Sequence, residues 1–254
     1  MIKKGITMGE AELLFDKTYT CPVCDRQFKA KTVRSGKVRT NGTDFDLRPR
    51  HVQVDAIKYE AIMCPHCGYA AMNRYFDAIL PVHRKLIREK IGESFQERNE
   101  ENLPYYTYDV ALEHYKLVLL NNMVKGAKSS ELAYTCVKIA WLYRGLAENL
   151  DPADPEYELT KEHAGKEEKN YQKKAYQGFV KARMEEDYPM AGMDESTCNY
   201  LTAALAIEVG EYDMASRFIS QIMGSHTASS RIKDKCYDLK TELTKRQKQQ
   251  ETAE

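Results

Sequence analysis

From residue 105 onward, apolar side chains recur at intervals of three and four. Ala111, Tyr115, Val118 and Leu119 share one helical face, and Leu132, Cys136, Ile139, Ala140, Tyr143 and Ala147 share another. This spacing turns one stripe of a helix toward a core. Asp151-Pro-Ala-Asp-Pro155 ends the second helix, because proline removes a backbone donor and clashes with the preceding turn. A long polar helix with Ala175, Tyr176, Phe179 and Val180 facing inward is expected next, stopping before Pro189. Three further helices follow from Leu201, Leu205 and Val209; from Tyr212, Ala215, Ile219 and Ile222; and from Ile232, Cys236, Leu239 and Leu243. The tail from Lys245 is expected to fray.

Before residue 105 the pattern differs. Lys31 to Val38 alternates around the turn signal Ser35-Gly36, and Tyr59 to Met63 is a short apolar run. Two or three short strands are expected between residues 18 and 70. Asn41-Gly42 and Pro49 make Arg39 to His51 a turn followed by an extended loop. Helical periodicity is expected from Tyr69, with Pro81 opening a new helix that runs to Glu93. The charged stretch Glu93 to Leu103, closed by Pro104, is the candidate linker. Gly210-Glu-Tyr-Asp-Met-Ala215 resembles the inter-helix turn of a tetratricopeptide repeat, with small Ala203 twelve residues before Ala215. About 34 residues earlier, the length of such a repeat, Lys169 and Lys181 break the match, so a regular array is not demonstrated.

Candidate chemistry concentrates in the β segment. Cys21-Pro-Val-Cys24 and Cys64-Pro-His-Cys67 are two copies of one knuckle. Two cysteines three apart across a tight turn bind one ion, and a second such turn completes a tetrahedron of thiolates. Gly68 follows the second pair and Asp25 the first, and both residue types tolerate the positive φ such a turn needs. The expected ligands are Cys21, Cys24, Cys64 and Cys67, and the expected cofactor is one structural Zn2+ per chain, with iron as the minor alternative. His66 lies inside the second knuckle and His51 stands in reserve. His83, His114, His163 and His226 have no partners at metal or triad spacing, and Cys136, Cys198 and Cys236 fall on apolar helix faces as small hydrophobes. The remaining motifs that announce dinucleotide, P-loop, zincin or serine-hydrolase chemistry are absent, so no enzyme is expected.

The chain is predicted to be mainly α with a small β part: a zinc-ribbon-like metal module over 1–70, connecting helices and linker over 71–104, a tetratricopeptide-like helical domain over 105–248 and a frayed tail over 249–254. At 254 residues, 43% hydrophobic and 30% charged, it has the composition of a soluble protein, and no apolar run reaches a membrane span. The N-terminal Lys3-Lys4 is not followed by an apolar stretch and cleavage site, so export is not expected. Paired cysteines of this spacing point to metal in a reducing cytoplasm rather than to disulfides. Net charge is +0 but uneven: +6 between Arg26 and Arg50, and −7 between Gly92 and Glu168.

The two knuckles, the second continuing Gly68-Tyr-Ala-Ala71, the segments Asp44-Phe-Asp46 and Arg48-Pro-Arg50, and Tyr115-Lys-Leu-Val-Leu-Leu120 with Ile139-Ala-Trp-Leu-Tyr-Arg144 resemble the bacterial family of unknown function DUF2225, over most of the chain. The resemblance implies a cytoplasmic protein of Gram-positive type bacteria, with a zinc-ribbon-like start and a tetratricopeptide-like remainder, and no established activity.

Three functions follow as expectations. The first is a non-enzymatic adaptor presenting a helical surface to a protein or peptide. The second is nucleic-acid binding through Arg26 to Arg50, although only Phe28 and Phe45 interleave there. The third is a small-molecule pocket among tyrosines such as Tyr105, Tyr106 and Tyr108. Arg48 and Arg50 beside Asp44 and Asp46 are expected to serve an internal ion-pair network in preference to an external anion.

Overall fold

Regular structure begins earlier than the sequence pattern suggests. In the computed structural model, which describes residues 7–34, 36, 38–100 and 102–251, a short helix α1 (Thr7–Glu12) leads into β1 (Leu14–Thr20). β1 pairs antiparallel with β2 (Gln27–Val33), from Leu14 opposite Val33 to Thr20 opposite Gln27. Among the described residues six strands form three two-stranded ribbons where two or three strands were expected. β1 escapes the sequence reading because Asp16, Lys17 and Thr18 give it an exposed run that breaks alternation. Of the alternating segment Lys31 to Val38, the part before the turn signal is strand as far as Val33; Ser35 and Lys37 lie outside the described residues, and Gly36 takes the positive φ of 76° expected of a turn.

The segment read as a loop forms β3 (Thr40–Thr43) and β4 (Pro49–His51), paired with each other. Pro49 is tolerated because it opens its strand, where a missing donor is least costly. A 3-10 turn at Ala56–Tyr59 precedes β5 (Ala61–Met63), which pairs with β6 (Ala70–Met72). The helix expected from Tyr69 is thus a buried strand: a run that is apolar on both faces carries no period to distinguish it. Pro81 opens α2 (Pro81–Ile87) as expected, continuing as a π turn over Arg88–Gly92.

The helices that follow are α3 (Tyr108–Val124), α4 (Ser129–Asn149), α5 (Tyr157–Glu185), α6 (Glu195–Glu208), α7 (Tyr212–Gly224) and α8 (Ser230–Glu251). Thr107 caps α3 by accepting from the Val110 N–H at 3.3 Å, and Asp194 caps α6 by accepting from Thr197 N–H at 2.8 Å. Gly210, with φ 82°, turns α6 into α7. α8 does not fray at Lys245. Arg246 holds Glu242 at 2.7 Å and Glu208 of α6 at 3.1 Å, and the helix runs to Glu251; residues 252–254 lie outside the described ones.

The chain divides into two compact units, each discontinuous in sequence. One comprises the chain through Gly42, Arg50–Ala127 and Trp141–Gly165; the other comprises Thr43–Pro49, Lys128–Ala140 and the chain from Lys166 on. A linear cut near 104 does not describe them, because α3 packs on β5 and β6, and Tyr115 donates its hydroxyl to Ile57 O at 2.8 Å. The first unit has a core of Tyr19, Phe28, Ile62, Tyr69, Phe76, Ile87 and Ile91 beneath the cysteines. The second centres on α6, α7 and α8, where Tyr200, Ile207, Phe218, Ile222 and Leu239 are buried and Phe45 and Leu47 pack against them.

Candidate metal centre

The first knuckle is the turn between β1 and β2. Cys21 N–H donates to Arg26 O at 2.9 Å, Asp25 N–H donates to Cys21 O at 2.9 Å, and Asp25 takes a φ of 60°. The second, between β5 and β6, repeats this bond for bond. Cys64 N–H donates to Tyr69 O at 2.8 Å, Gly68 N–H to Cys64 O at 3.0 Å, and Gly68 has φ 71°. In both turns the positive φ directs backbone donors back toward the cysteine pair, and Val23 N–H donates to Cys21 Sγ at 3.4 Å.

The two turns bring all four sulfurs within 4.8 Å of one another. Cys21 and Cys67 sulfurs lie 3.6 Å apart, and those of Cys24 and Cys64 lie 3.7 Å apart. A tetrahedron of sulfurs each about 2.3 Å from a central ion has edges of about 3.8 Å, so the donor set fits a single four-coordinate cation. Cys21 and Cys64 are fully buried and Cys67 nearly so, while Cys24 forms the partly open edge. Titration reflects the crowding. Hydrogen bonds from Cys64, and then from Cys67, hold the Cys21 thiol well below its ordinary value, while the Cys21 thiolate in turn raises those of Cys64 and Cys67. Four sulfurs this close ionise together only around a shared positive charge.

Aromatic packing fixes the knuckles from below. Tyr19 stacks on Phe28 at 5.8 Å, and Phe76 meets Tyr19 and Tyr69 at 5.5 and 5.1 Å. Asn121 of α3, itself buried, donates its side-chain N–H to Gly68 O at 3.0 Å, and Arg88 donates to Val23 O.

The other candidates fall elsewhere. His51 holds Asp55 at 3.1 Å, and Tyr108 donates to the same carboxylate at 3.1 Å, so the reserve ligand is engaged outside the cluster. His66 has both ring nitrogens engaged away from the sulfurs: Nδ1 meets Glu97 at 2.6 Å and Nε2 meets Gln27 O at 3.2 Å. His114 is buried in α3 with Nε2 at 2.9 Å from Glu100. Cys136, Cys198 and Cys236 are buried, and burial pushes each thiol up to about 11, away from nucleophilic use. Arg48 and Asp46 are buried, with Arg48 at 3.7 Å from Asp44 and its N–H donating to Asp46, which is the internal network. Arg50 reaches Glu148 at 3.1 Å. The tyrosines at 105–108 surround a buried ion pair, Lys58 with Glu10 at 2.6 Å. Lys58 also donates to Tyr106 O at 2.9 Å, and Tyr59 donates to Glu10 at 2.6 Å. A separate cavity of about 340 Å³ is lined by Ile91, Phe95, Leu117 and Leu120, with Lys90 and Arg98 also on its wall.

Sequence reasoning missed Glu97, Phe95 and Asn121. Glu97 stands in a run of charged residues whose pattern resembles any solvated linker, and Arg26 and His66, in that order, hold its carboxyl below the usual range. Asn121 is a polar residue that continues the helical spacing of Ala111 and Val118 toward the core, which is the one signal that could have marked it.

Fold and site together define a predominantly helical protein whose N-terminal strands carry a four-cysteine module able to hold a metal ion. The chain belongs to the family described as uncharacterized protein conserved in bacteria (DUF2225), whose family model matches residues 14–243. Searches of curated proteins and of solved structures each find no match. Among the described residues no helix is long and apolar enough to cross a membrane.

Proposed function

We propose that this chain is a non-catalytic zinc protein of the cytoplasm, in which one zinc ion staples the N-terminal strands and the helical part serves as a docking surface for a protein or peptide. The observation that carries the zinc reading is the paired knuckle, with four sulfurs at tetrahedral spacing. Four protein ligands leave no position for an activating water, which favours a structural metal over a catalytic one. The interaction reading draws its support from the α6–α7 hairpin, whose Gly210 turn carries the sequence that resembles the inter-helix turn of a tetratricopeptide repeat. Purified from its host, the protein is expected to be colourless and to release about one zinc per chain on thiol modification. A red protein with iron-thiolate absorption overturns the metal. Retention of host protein partners after nuclease treatment supports the docking role, and nuclease-sensitive retention moves it to nucleic acid.

That second reading has less to stand on than the charge count suggests. Arg26 is paired with Glu97, Lys31 with Asp16, Arg48 with Asp44 and Arg50 with Glu148. Cations already neutralised within the chain release few counterions on binding a phosphate backbone. Nucleic-acid affinity that falls steeply between low and physiological salt is the result that would restore it.

A further inference from the structure

Between the π turn and α3, the segment that looks like a charged linker touches both knuckles. Glu97 reaches back to Arg26, two residues past Cys24, with a paired contact at 2.8 and 3.1 Å. The same carboxylate meets His66, between Cys64 and Cys67, at 2.6 Å. One residue on, Arg98 N–H donates to Pro65 O at 2.9 Å. Two residues before Glu97, the Phe95 ring lies so close to Gly68 that a Cβ there would overlap it. The far end is fastened to α3: Arg98 pairs with Glu113, and Glu100 with His114 at 2.9 Å.

Each knuckle supplies two thiolates, so an ion leaves only when the knuckles part or one of them unwinds. Whatever bridges the knuckles opposes the first route, and whatever presses on a knuckle's turn opposes the second. Glu97 does the former; Phe95, and the bond from Arg98 to Pro65, do the latter. An exposed ion pair by itself contributes little, but here a two-point arginine contact, a histidine, a backbone bond and an aromatic ring act through five consecutive residues. We propose that Ser94–Arg98 is a clasp over the metal centre, which sets the rate at which the ion exchanges. The proposal rests on the metal reading above, and it adds to that structural ion a rate of exchange set by this segment.

The test uses the full-length chain loaded with Zn2+ or Co2+, with ion release followed in an excess of chromogenic chelator. Glu97→Ala and Phe95→Ala are expected each to speed release on the order of tenfold, as loss of groups surrounding metal ligands commonly does, with unchanged helical circular dichroism. Phe95→Leu restores an apolar cover and is expected to release slowly, like the wild type. Glu93→Ala, outside the clasp, serves as the control. Glu97 is half exposed, so its variant keeps the test sound should Phe95→Ala misfold. Release at wild-type rate from the Glu97→Ala and Phe95→Ala chains, both loaded with metal, overturns the clasp. A wild-type chain that takes up neither ion overturns the metal reading and the clasp with it.

Discussion

Asp25 and Gly68 hold the same place in their knuckles, with φ of 60° and 71°, yet only one of the two must be glycine. The left-handed region is open to aspartate at modest cost, so φ alone does not decide. Phe95 does, by filling the space where a Cβ on Gly68 would stand. Asp25→Gly is therefore expected to keep metal affinity and melting temperature close to wild type. Gly68→Ala is expected to lose at least about 2 kcal/mol, from the strained φ and displacement of the ring. Thermal denaturation of the two metal-loaded variants checks the contrast. The clustering of the four cysteines was legible in the sequence because knuckle spacing is local, fixed by one tight turn each. Glu97 was not, since its meaning comes from Arg26 and His66, 71 and 31 residues away, and no local pattern encodes such a meeting.

Elements were legible in proportion to their length and period. The long amphipathic helices α4 to α8 stand where apolar spacing put them, because a stripe repeated over several turns outweighs any single residue. The short ribbons were legible only in part: the apolar run Tyr59 to Met63 contains β5, whereas three residues such as Ala70–Met72 contain too few positions to show a period. Close helix packing also leaves a trace that only the structure interprets. Gly178 in α5 approaches α4 so nearly that a Cβ would lie 2.8 Å from that of Ala133. Gly178→Val is expected to destabilise by about 1–3 kcal/mol by forcing the two helices apart. Chemical denaturation checks this, and Gly165→Val in the same helix, with open space around it, is the matched control.

At the level of the whole chain, metal removal should act unequally. Cys64→Ser, or a strong chelator, is expected to strip amide-exchange protection from β1, β2, β5, β6 and α3, which share the first unit with the cysteines, while α6, α7 and α8 keep theirs. Uniform loss of protection would show a single cooperative unit. Alkaline pH is expected to weaken the protein as well. Burial, the largest cause for each, raises the phenol pKa of Tyr59, Tyr69, Tyr106 and Tyr200, with Glu10 adding to it at Tyr59. Phenols in the unfolded chain ionise near about pH 10. The stability they lend is therefore complete below that value and falls as pH rises above it. Melting temperatures measured across that range, with the tyrosinate absorbance of these buried phenols appearing only on unfolding and that of exposed ones such as Tyr237 before it, test the sign. The interleaving of the units also bears on how the protein is made. Phe45 and Leu47 belong with α6, α7 and α8, which the ribosome delivers last. At roughly 5–20 residues per second the wait is on the order of ten to forty seconds. During that interval the nascent chain carries two apolar side chains with no partner, a natural landing place for a chaperone that attends translation.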